Sequence, residues 1–131
     1  MVNLGAGDIS DRLTILALKI LYGIEAGKEV KHFVDERNAL LTMIKGKTLN
    51  GMWFEHLLGL GAVNAALWIA TDHLRGRAHA IEHEKDEGAI AEHRLQAGHQ
   101  GIQMLKLNDQ RAALIEQINK LSGDAIGPEK L

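Results

Sequence analysis

Apolar residues recur at helical spacing in four long segments, and this periodicity constrains the fold more than any other feature of the sequence. The first segment, GDISDRLTILALKILYGIE, carries apolar residues on two sides of the helix that it predicts. One stripe consists of Ile9, Leu13, Leu16, Ile20 and Ile24, and the other of Ile15, Leu18 and Tyr22. No stretch longer than a few residues alternates as a strand would. The sequence therefore predicts an all-α protein of four antiparallel, bundle-like helices.

Capping residues and glycines predict where the first two helices begin and end. We expect Asp8 to be the N-cap of the first helix, with Asp11 in the position of a capping-box acid. Gly27 is expected to end that helix. A second helix is predicted over residues 28–45, with Gly46 just beyond it. Its apolar stripe is narrow, so one face should remain in water.

Two further helices are predicted in the second half of the chain. Asn50 is expected to cap a third helix over residues 52–75, and a fourth is predicted over residues 95–123. Residues 76–93 between them are polar and rich in histidine, which predicts a connection or a solvated helix end. The third helix contains a strip of small residues on which another helix can lie close: Gly59, Gly61, Ala62, Ala65 and Ala66.

Length and composition narrow the class of protein. A chain of 131 residues with 46% apolar content predicts a single helical domain, residues 1–131, that can bury a core. The formal net charge of −2 lacks the basic footprint of a nucleic-acid binder, so no nucleic-acid partner is expected. The absence of cysteine excludes disulfides, thiolate catalysis and sulfur-ligated metals.

Targeting signals and apolar runs bear on location. The start, MVNLGAGDIS, has no basic region followed by an apolar stretch, so a cytoplasmic location is expected. The longest apolar runs are interrupted and shorter than the roughly 20 residues that a bilayer requires, so no membrane span is expected.

Because the first helix is apolar on two sides, one side should meet its own bundle and the other a second subunit. This pattern predicts a homo-oligomer, most simply a dimer.

Polar side chains interrupt three of the predicted helices, and their spacing places them on one face of each helix. These stripes are Asp8, Arg12 and Lys19 on the first helix, Asn64, Trp68, Asp72 and Arg75 on the third, and Asn108 and Arg111 on the fourth. The candidate ligand-binding residues are Asp11, Arg12, Lys19, Asn64, Trp68, Asp72, Arg75, Asn108 and Arg111. Asn119 continues this line along the fourth helix. Where such faces meet inside a bundle, buried charges must pair with each other or meet a ligand. We expect the three faces to converge at one shielded interior site.

The convergence has two interpretations besides simple exposure to water. One is an internal network of salt bridges that fixes helix register. The other is a pocket whose basic side chains receive an anionic, phosphate-bearing small molecule while Trp68 packs on its apolar part. The basic side chains of that pocket are Arg12, Lys19, Arg75 and Arg111.

The histidine-rich segment raises a separate question about metal binding. His79 and His83 are four residues apart and would share a helix face, with Glu82 or Asp86 near enough to add an oxygen ligand. An exposed hydrophilic face is the favoured interpretation, because seven histidines in 131 residues produce some such pair by chance. No metal site and no cofactor are therefore assigned.

Three motifs give the chain a resemblance to a family of small helical proteins of unknown function from bacteria and phages. The first motif matches Gly7, Asp8, Asp11, Arg12, Thr14, Ile15, Leu16 and Lys19. The second matches Leu67, Trp68, Asp72 and Arg75, with Thr71 where the family usually has an acidic residue, and the third matches Asn108, Asp109, Arg111, Glu129 and Lys130. Members lie near genes for surface-polysaccharide synthesis, so the resemblance implies a shared helical fold and a sugar-phosphate or nucleotide ligand.

The leading functional hypothesis is a non-catalytic binding or assembly module with a polar interhelical pocket for an anionic small molecule. The first alternative is an enzyme acting on a nucleotide or sugar phosphate, with Asp11 or Asp72 as acid–base group or metal ligand. The second alternative is a purely structural protein that oligomerises and has no small-molecule site.

Overall fold

The computed structural model describes residues 4–47 and 49–123, which form four α-helices. The helices are α1 (Ala6–Glu25), α2 (Lys31–Ile44), α3 (Gly51–His83) and α4 (Glu87–Leu121). No strand occurs within these residues. The all-α prediction is confirmed, and the four-helix order follows the four periodic segments of the sequence.

Helix α1 is the centre of the arrangement because it contacts each of the other three helices. Its start lies against the end of α4, where Gly7 meets Asn119, so α1 and α4 are antiparallel. Ser10 at its start bonds Trp53 at the start of α3, so α1 and α3 run parallel. Helix α2 packs on α1 and, among the described residues, its backbone does not come close to that of α3 or α4.

The core accounts for part of the apolar surface of α1. Ile9 of α1, Leu60 of α3 and Ile118 of α4 are fully buried together. Leu40 and Ile44 of α2 complete the buried cluster. Each of the two predicted stripes keeps an exposed member within the described chain, because Ile24 is 62% exposed and Tyr22 36%. The oligomeric state stays a prediction.

The predicted start of α1 is wrong. The helix begins at Ala6 with Gly5 as its N-cap, so Asp8 is not the cap and Asp11 is not a capping-box acid. Asp8 lies in the first helical turn, where a negative charge favours the helix dipole. Asp11 is buried.

A contact with α4 takes the place of a side-chain cap. The backbone N–H of Gly7, one of the donors that a helix start leaves unpaired, donates to Oδ1 of Asn119 at 2.7 Å. This long-range contact lets α1 begin one turn earlier than local capping chemistry indicates.

Three other predicted helix ends are confirmed. Asn50 caps α3, and its side chain accepts a hydrogen bond from the backbone N–H of Trp53 at 3.0 Å. Gly27 follows α1 with a φ of 68°, and Gly123 follows α4 with a φ of 78°. Glycine suits both positions because it reaches positive φ without steric cost.

Of the two alternatives predicted for residues 76–93, the solvated helix end is the one that the structure shows, because α3 continues to His83, α4 begins at Glu87 and none of these residues is buried. The two helices form an antiparallel hairpin, each arm about 50 Å long at 1.5 Å per residue. Asp86 caps α4 by accepting a hydrogen bond from the backbone N–H of Ala89 at 2.9 Å. Farther along the hairpin, Arg77 and His93 meet across it with Nη1 and Nδ1 3.2 Å apart. Polar pairs of this kind concealed the periodicity that apolar residues would have shown.

Substitution of Gly7 by alanine tests the close approach of α1 and α4. A Cβ atom there would collide with the carbonyl oxygen of Ile115 and with Asn119 Oδ1, both held within α4. We expect Gly7→Ala to lower the free energy of unfolding by about 2 kcal/mol or more, measured by urea denaturation. Gly98→Ala is the matched control, since a Cβ there meets open space and should raise stability by about 0.5–1 kcal/mol. Equal effects of the two substitutions would contradict the packing described.

Candidate functional site: a polar junction and an adjoining groove

Four polar side chains meet where α1, α3 and α4 come together, and we call this cluster the polar junction. Its members are Asp11 and Thr14 of α1, Asn64 of α3 and Arg111 of α4. Asp11 is only 5% exposed and Asn64 only 4%. The carboxylate of Asp11 is the centre of the cluster because both Asn64 and Arg111 donate hydrogen bonds to it.

Arg111 and Asp11 form a bidentate ion pair. Nε of Arg111 donates to Oδ1 of Asp11 at 2.9 Å, and Nη2 donates to Oδ2 at 2.6 Å. Two parallel charge-assisted bonds of this kind fix orientation as well as adding energy. The hydrogen bonds with Asp11 are the main reason why the pKa of Arg111 lies above its ordinary value. The guanidinium is therefore a permanent partner of this carboxylate.

Asn64 and Thr14 complete the pairing. Nδ2 of Asn64 donates to Oδ1 of Asp11 at 2.9 Å and to Oγ1 of Thr14 at 2.8 Å. The hydroxyl of Thr14 donates in turn to the backbone carbonyl of Asp11 at 2.8 Å. A buried charge is tolerated when its hydrogen bonds are satisfied in this way. Thr14 was not among the predicted site residues, although its position three residues after Asp11 was a usable signal.

A groove of about 390 Å³ adjoins the polar junction, because Asn64 and Arg111 belong to both. The polar and aromatic side chains that line it are Lys19, Asn64, Trp68, Thr71, Asp72, Arg75 and Arg111. Six of these seven are among the nine residues predicted from the sequence. The apolar lining residues were not predicted as site residues: Ile15 and Leu18 belong to an apolar stripe of the first helix, and Leu67 to the second motif.

The charges in the groove are unevenly paired. Arg111 is neutralised by Asp11, as described above. Lys19 and Arg75 are exposed, and neither forms a hydrogen bond or ion pair with the residues that the structure describes. The ammonium group of Lys19 lies 5.5 Å from the ring centroid of Phe33, a cation–π contact that holds the charge without neutralising it. Asp72 is the single unpaired carboxylate among the described residues that line the groove, so these residues together carry an excess of positive charge.

One wall of the groove is aromatic. The ring of Trp68 stacks on that of Tyr22, with centroids 5.3 Å apart and planes 10° from parallel. Tyr22 therefore supports the indole from the side of α1. Together with Ile15 and Leu18, Trp68 gives the groove an apolar surface beside its cations. Such a lining suits a ligand with a flat apolar part and a charged group.

Arg12 and Asn108 lie outside this arrangement. Both side chains are exposed, and neither lines the groove. Arg12 follows Asp11 by one residue, which rotates its side chain by roughly 100° around α1, and Asn108 is roughly 60° from the direction of Arg111 on α4. The prediction that all nine residues converge at one interior site is therefore wrong. The structure divides them into a buried junction, an open groove and two surface positions.

The histidine pair predicted on one helix face is present at the tip of the hairpin. The rings of His79 and His83 have centroids 4.2 Å apart, and both residues are exposed. Among the residues that the structure describes, no group of three or more His, Cys, Asp or Glu side chains is arranged to hold a metal ion. Glu82 and Asp86 do not complete such a group.

No family model, curated protein or solved structure matches the chain. The family resemblance drawn from the three motifs stays a prediction, and its Glu129 and Lys130 lie outside the described residues. By length and composition alone, α3 is long and apolar enough to cross a membrane, and little of that apolar stretch is buried. The cytoplasmic location and the absence of a membrane span also stay predictions.

Removal of Arg111 tests the polar junction. Arg111→Met leaves the buried Asp11 carboxylate with Asn64 as its remaining side-chain donor, and we expect a loss of about 3 kcal/mol in the free energy of unfolding. Adding Asp11→Asn should restore part of that loss, because the double variant no longer buries an unpaired charge. Both values come from urea denaturation. A double variant less stable than Arg111→Met would contradict the role given to this pair.

A surface ion pair supplies the control for that experiment. Lys31 and Asp35 are joined at 2.8 Å on α2, and both side chains are mostly exposed. Exposed pairs contribute little to folding because water and salt screen them. Asp35→Ala should therefore leave the denaturation midpoint unchanged while Arg111→Met shifts it. Equal shifts of the denaturation midpoint would mean that the buried Asp11–Arg111 pair stabilises the fold no more than an exposed pair does.

Proposed function

We propose that this chain is a non-catalytic binding module that holds an anionic small molecule in the groove beside the polar junction. The observation that carries the proposal is that Lys19 and Arg75 face one apolar-walled groove with no anionic partner among the described residues. Unpaired cations that share a concave site attract anions, and a nearby apolar wall adds affinity for a ring or hydrocarbon part.

The size of the groove fits this class of ligand. At about 390 Å³ it lies near the lower end of the range of roughly 300–1,000 Å³ that small-molecule pockets occupy. A phosphate or carboxylate group would lie between Lys19 and Arg75, whose side chains approach from α1 and α3. A flat apolar part would pack on Trp68, which Tyr22 holds in place from behind. Phosphorylated sugars and nucleotides combine these two chemical features.

The polar junction supports binding indirectly. Because Arg111 is already paired with Asp11, its guanidinium is held still beside the groove and keeps α4 in position. The positive charges that attract the ligand come instead from Lys19 and Arg75, which form no ion pair among the described residues. The buried charges thus hold the helices in position, and the exposed charges bind the ligand.

The two alternative functions make different demands on the same residues. An enzyme would need Asp11 or Asp72 as acid, base or metal ligand. Asp11 is engaged by Arg111 and Asn64, so Asp72 is the carboxylate that this alternative would use in the groove. A purely structural protein would need no anion at Lys19 or Arg75. Binding without turnover distinguishes our proposal from both.

Titration with phenyl phosphate, which joins a phosphate to a flat ring, tests the proposal. Binding is followed by calorimetry and by tryptophan fluorescence, which comes from Trp53 and from Trp68 in the groove. We expect Lys19→Met and Arg75→Met each to weaken binding by about tenfold or more, because each removes one charge-assisted hydrogen bond. Neither substitution should shift the denaturation midpoint by more than a small amount, since neither residue forms an ion pair among the described residues and the Lys19–Phe33 cation–π contact contributes only about 0.5–1 kcal/mol at an exposed position.

Arg12→Met is the matched control because it removes the same charge from an exposed position outside the groove. It should leave phenyl phosphate binding unchanged. Equal losses with Arg12→Met and Arg75→Met would mean that the anion responds only to net charge, which contradicts a site in the groove. A wild-type protein that binds no phenyl phosphate at millimolar concentration contradicts the proposal directly.

A further inference from the structure

A stripe of apolar and small residues on α3 faces away from the rest of the described chain, and we call it the α3 outer stripe. It consists of Phe54, Leu58, Ala62, Ala65 and Ile69. The spacing of four, four, three and four residues places all five on one helix face. Its three large side chains are about half exposed: Phe54 at 55%, Leu58 at 60% and Ile69 at 48%.

The other faces of α3 are occupied by helices of the same chain. A Cβ atom at Gly59 would lie 3.4 Å from Leu114 of α4, and one at Gly61 would lie 3.9 Å from Thr14 of α1. Gly59 and Gly61 point roughly 160° apart around the helix, so α4 and α1 lie on two well-separated sides of α3. The α3 outer stripe lies between these sides, and the part of the chain that the structure describes leaves its large side chains about half exposed.

Solvated helix faces normally carry charge, and this one does not. From residue 56 to residue 71, α3 contains no Asp, Glu, Lys or Arg on any side. The run is longer than four helical turns and includes most of the α3 outer stripe. Exposed apolar area without interspersed charge is typical of a surface that another molecule covers.

We propose that a second copy of this chain covers the α3 outer stripe, with the two α3 helices packed antiparallel around a two-fold axis. The stripe is self-complementary about a point between Gly61 and Ala62. When the chain direction is reversed about that point, as in an antiparallel pair, Phe54 takes the position of Ile69, and Leu58 takes the position of Ala65. A two-fold dimer requires this property, because the same patch must fit itself.

In this antiparallel arrangement, a large side chain of one copy lies opposite a small side chain of the other. Leu58 of one copy lies opposite the small Ala65 of the other, so a large side chain fills the space that a small one leaves. Ala62 lies beside the crossing point, where a small side chain lets two helix backbones approach closely. Phe54 and Ile69 close both ends of the contact. A single helix pair of this length buries less area than a standard interface, so the dimer should dissociate in the micromolar range.

The shape of α3 favours a second copy over a lipid bilayer. The side of α3 that faces α1 carries Asn64 of the polar junction, and Asp72 and Arg75 follow one turn beyond the stripe. Insertion across a membrane would bring this polar side into the apolar layer along with the stripe. Lipid binding is therefore the competing outcome of the test.

Disulfide cross-linking tests the register, since the chain has no natural cysteine. Ala62→Cys lies near the proposed axis and should form a covalent dimer in high yield under mild oxidation. Ala113→Cys, an exposed alanine on α4, is the matched control and should remain largely monomeric. Equal cross-linking of the two variants would overturn the proposed interface.

Sedimentation of the cysteine-free chain tests the dimer itself. The wild-type protein should change from monomer to dimer across the micromolar range, and Ile69→Asp should stay monomeric with unchanged helical content by circular dichroism. Leu105→Asp, which alters an even more exposed leucine at 67% on α4, should dimerise like the wild type. A wild-type chain that stays monomeric, or that partitions into vesicles of phosphatidylcholine and phosphatidylglycerol, would overturn the proposal.

Discussion

The bidentate ion pair between Asp11 and Arg111 is the interaction on which the arrangement of the helices depends. The two residues are one hundred positions apart in the chain, and their pairing joins the first helix to the last. Asn64 adds the third helix to the same carboxylate. Because a buried carboxylate is costly unless every bond is made, only a narrow range of helix positions satisfies this cluster. The close approach at Gly7 and the position of the groove wall follow from those positions.

This pairing distinguishes two arginines that the sequence pattern alone does not tell apart. Arg75 and Arg111 both lie on polar faces of long helices, and both border the groove. Arg111 has its carboxylate and is half-buried, whereas Arg75 is exposed and unpaired among the described residues. A charge that folding has already neutralised cannot also recognise an anion at full strength. Architecture and recognition therefore use different members of one set of residues.

The sequence predicted those parts of the fold that local chemistry determines. Periodicity identified all four helices, and Asn50 and Gly27 marked a start and an end that the structure confirms. The start of α1 was wrong because the donor at Gly7 is satisfied by Asn119, which is 112 residues away in the chain. The long hairpin was missed because its distal part pairs residues such as Arg77 and His93, which carry no apolar signal.

The candidate site was predictable as a set of residues and not as an arrangement. Helical spacing identified Asn64 and Arg111, and the first motif supplied Asp11. Neither signal could show which polar faces turn toward each other, because that depends on how the helices cross. For the same reason Arg12 was included, although one residue of rotation places it on the surface. Trp68 was found as part of a polar face, while its stacking partner Tyr22 looked like an ordinary packing residue.

The most direct test of the division between structural and binding charges is an NMR titration of the arginine Nε–H signals with phenyl phosphate. We expect the Arg75 signal to shift progressively with ligand while the Arg111 signal stays in place, since its Nε already donates to Asp11. If the Arg111 signal shifted while the Arg75 signal stayed in place, the paired arginine would be the one that binds the ligand. That result would contradict the division between a structural Arg111 and a ligand-binding Arg75.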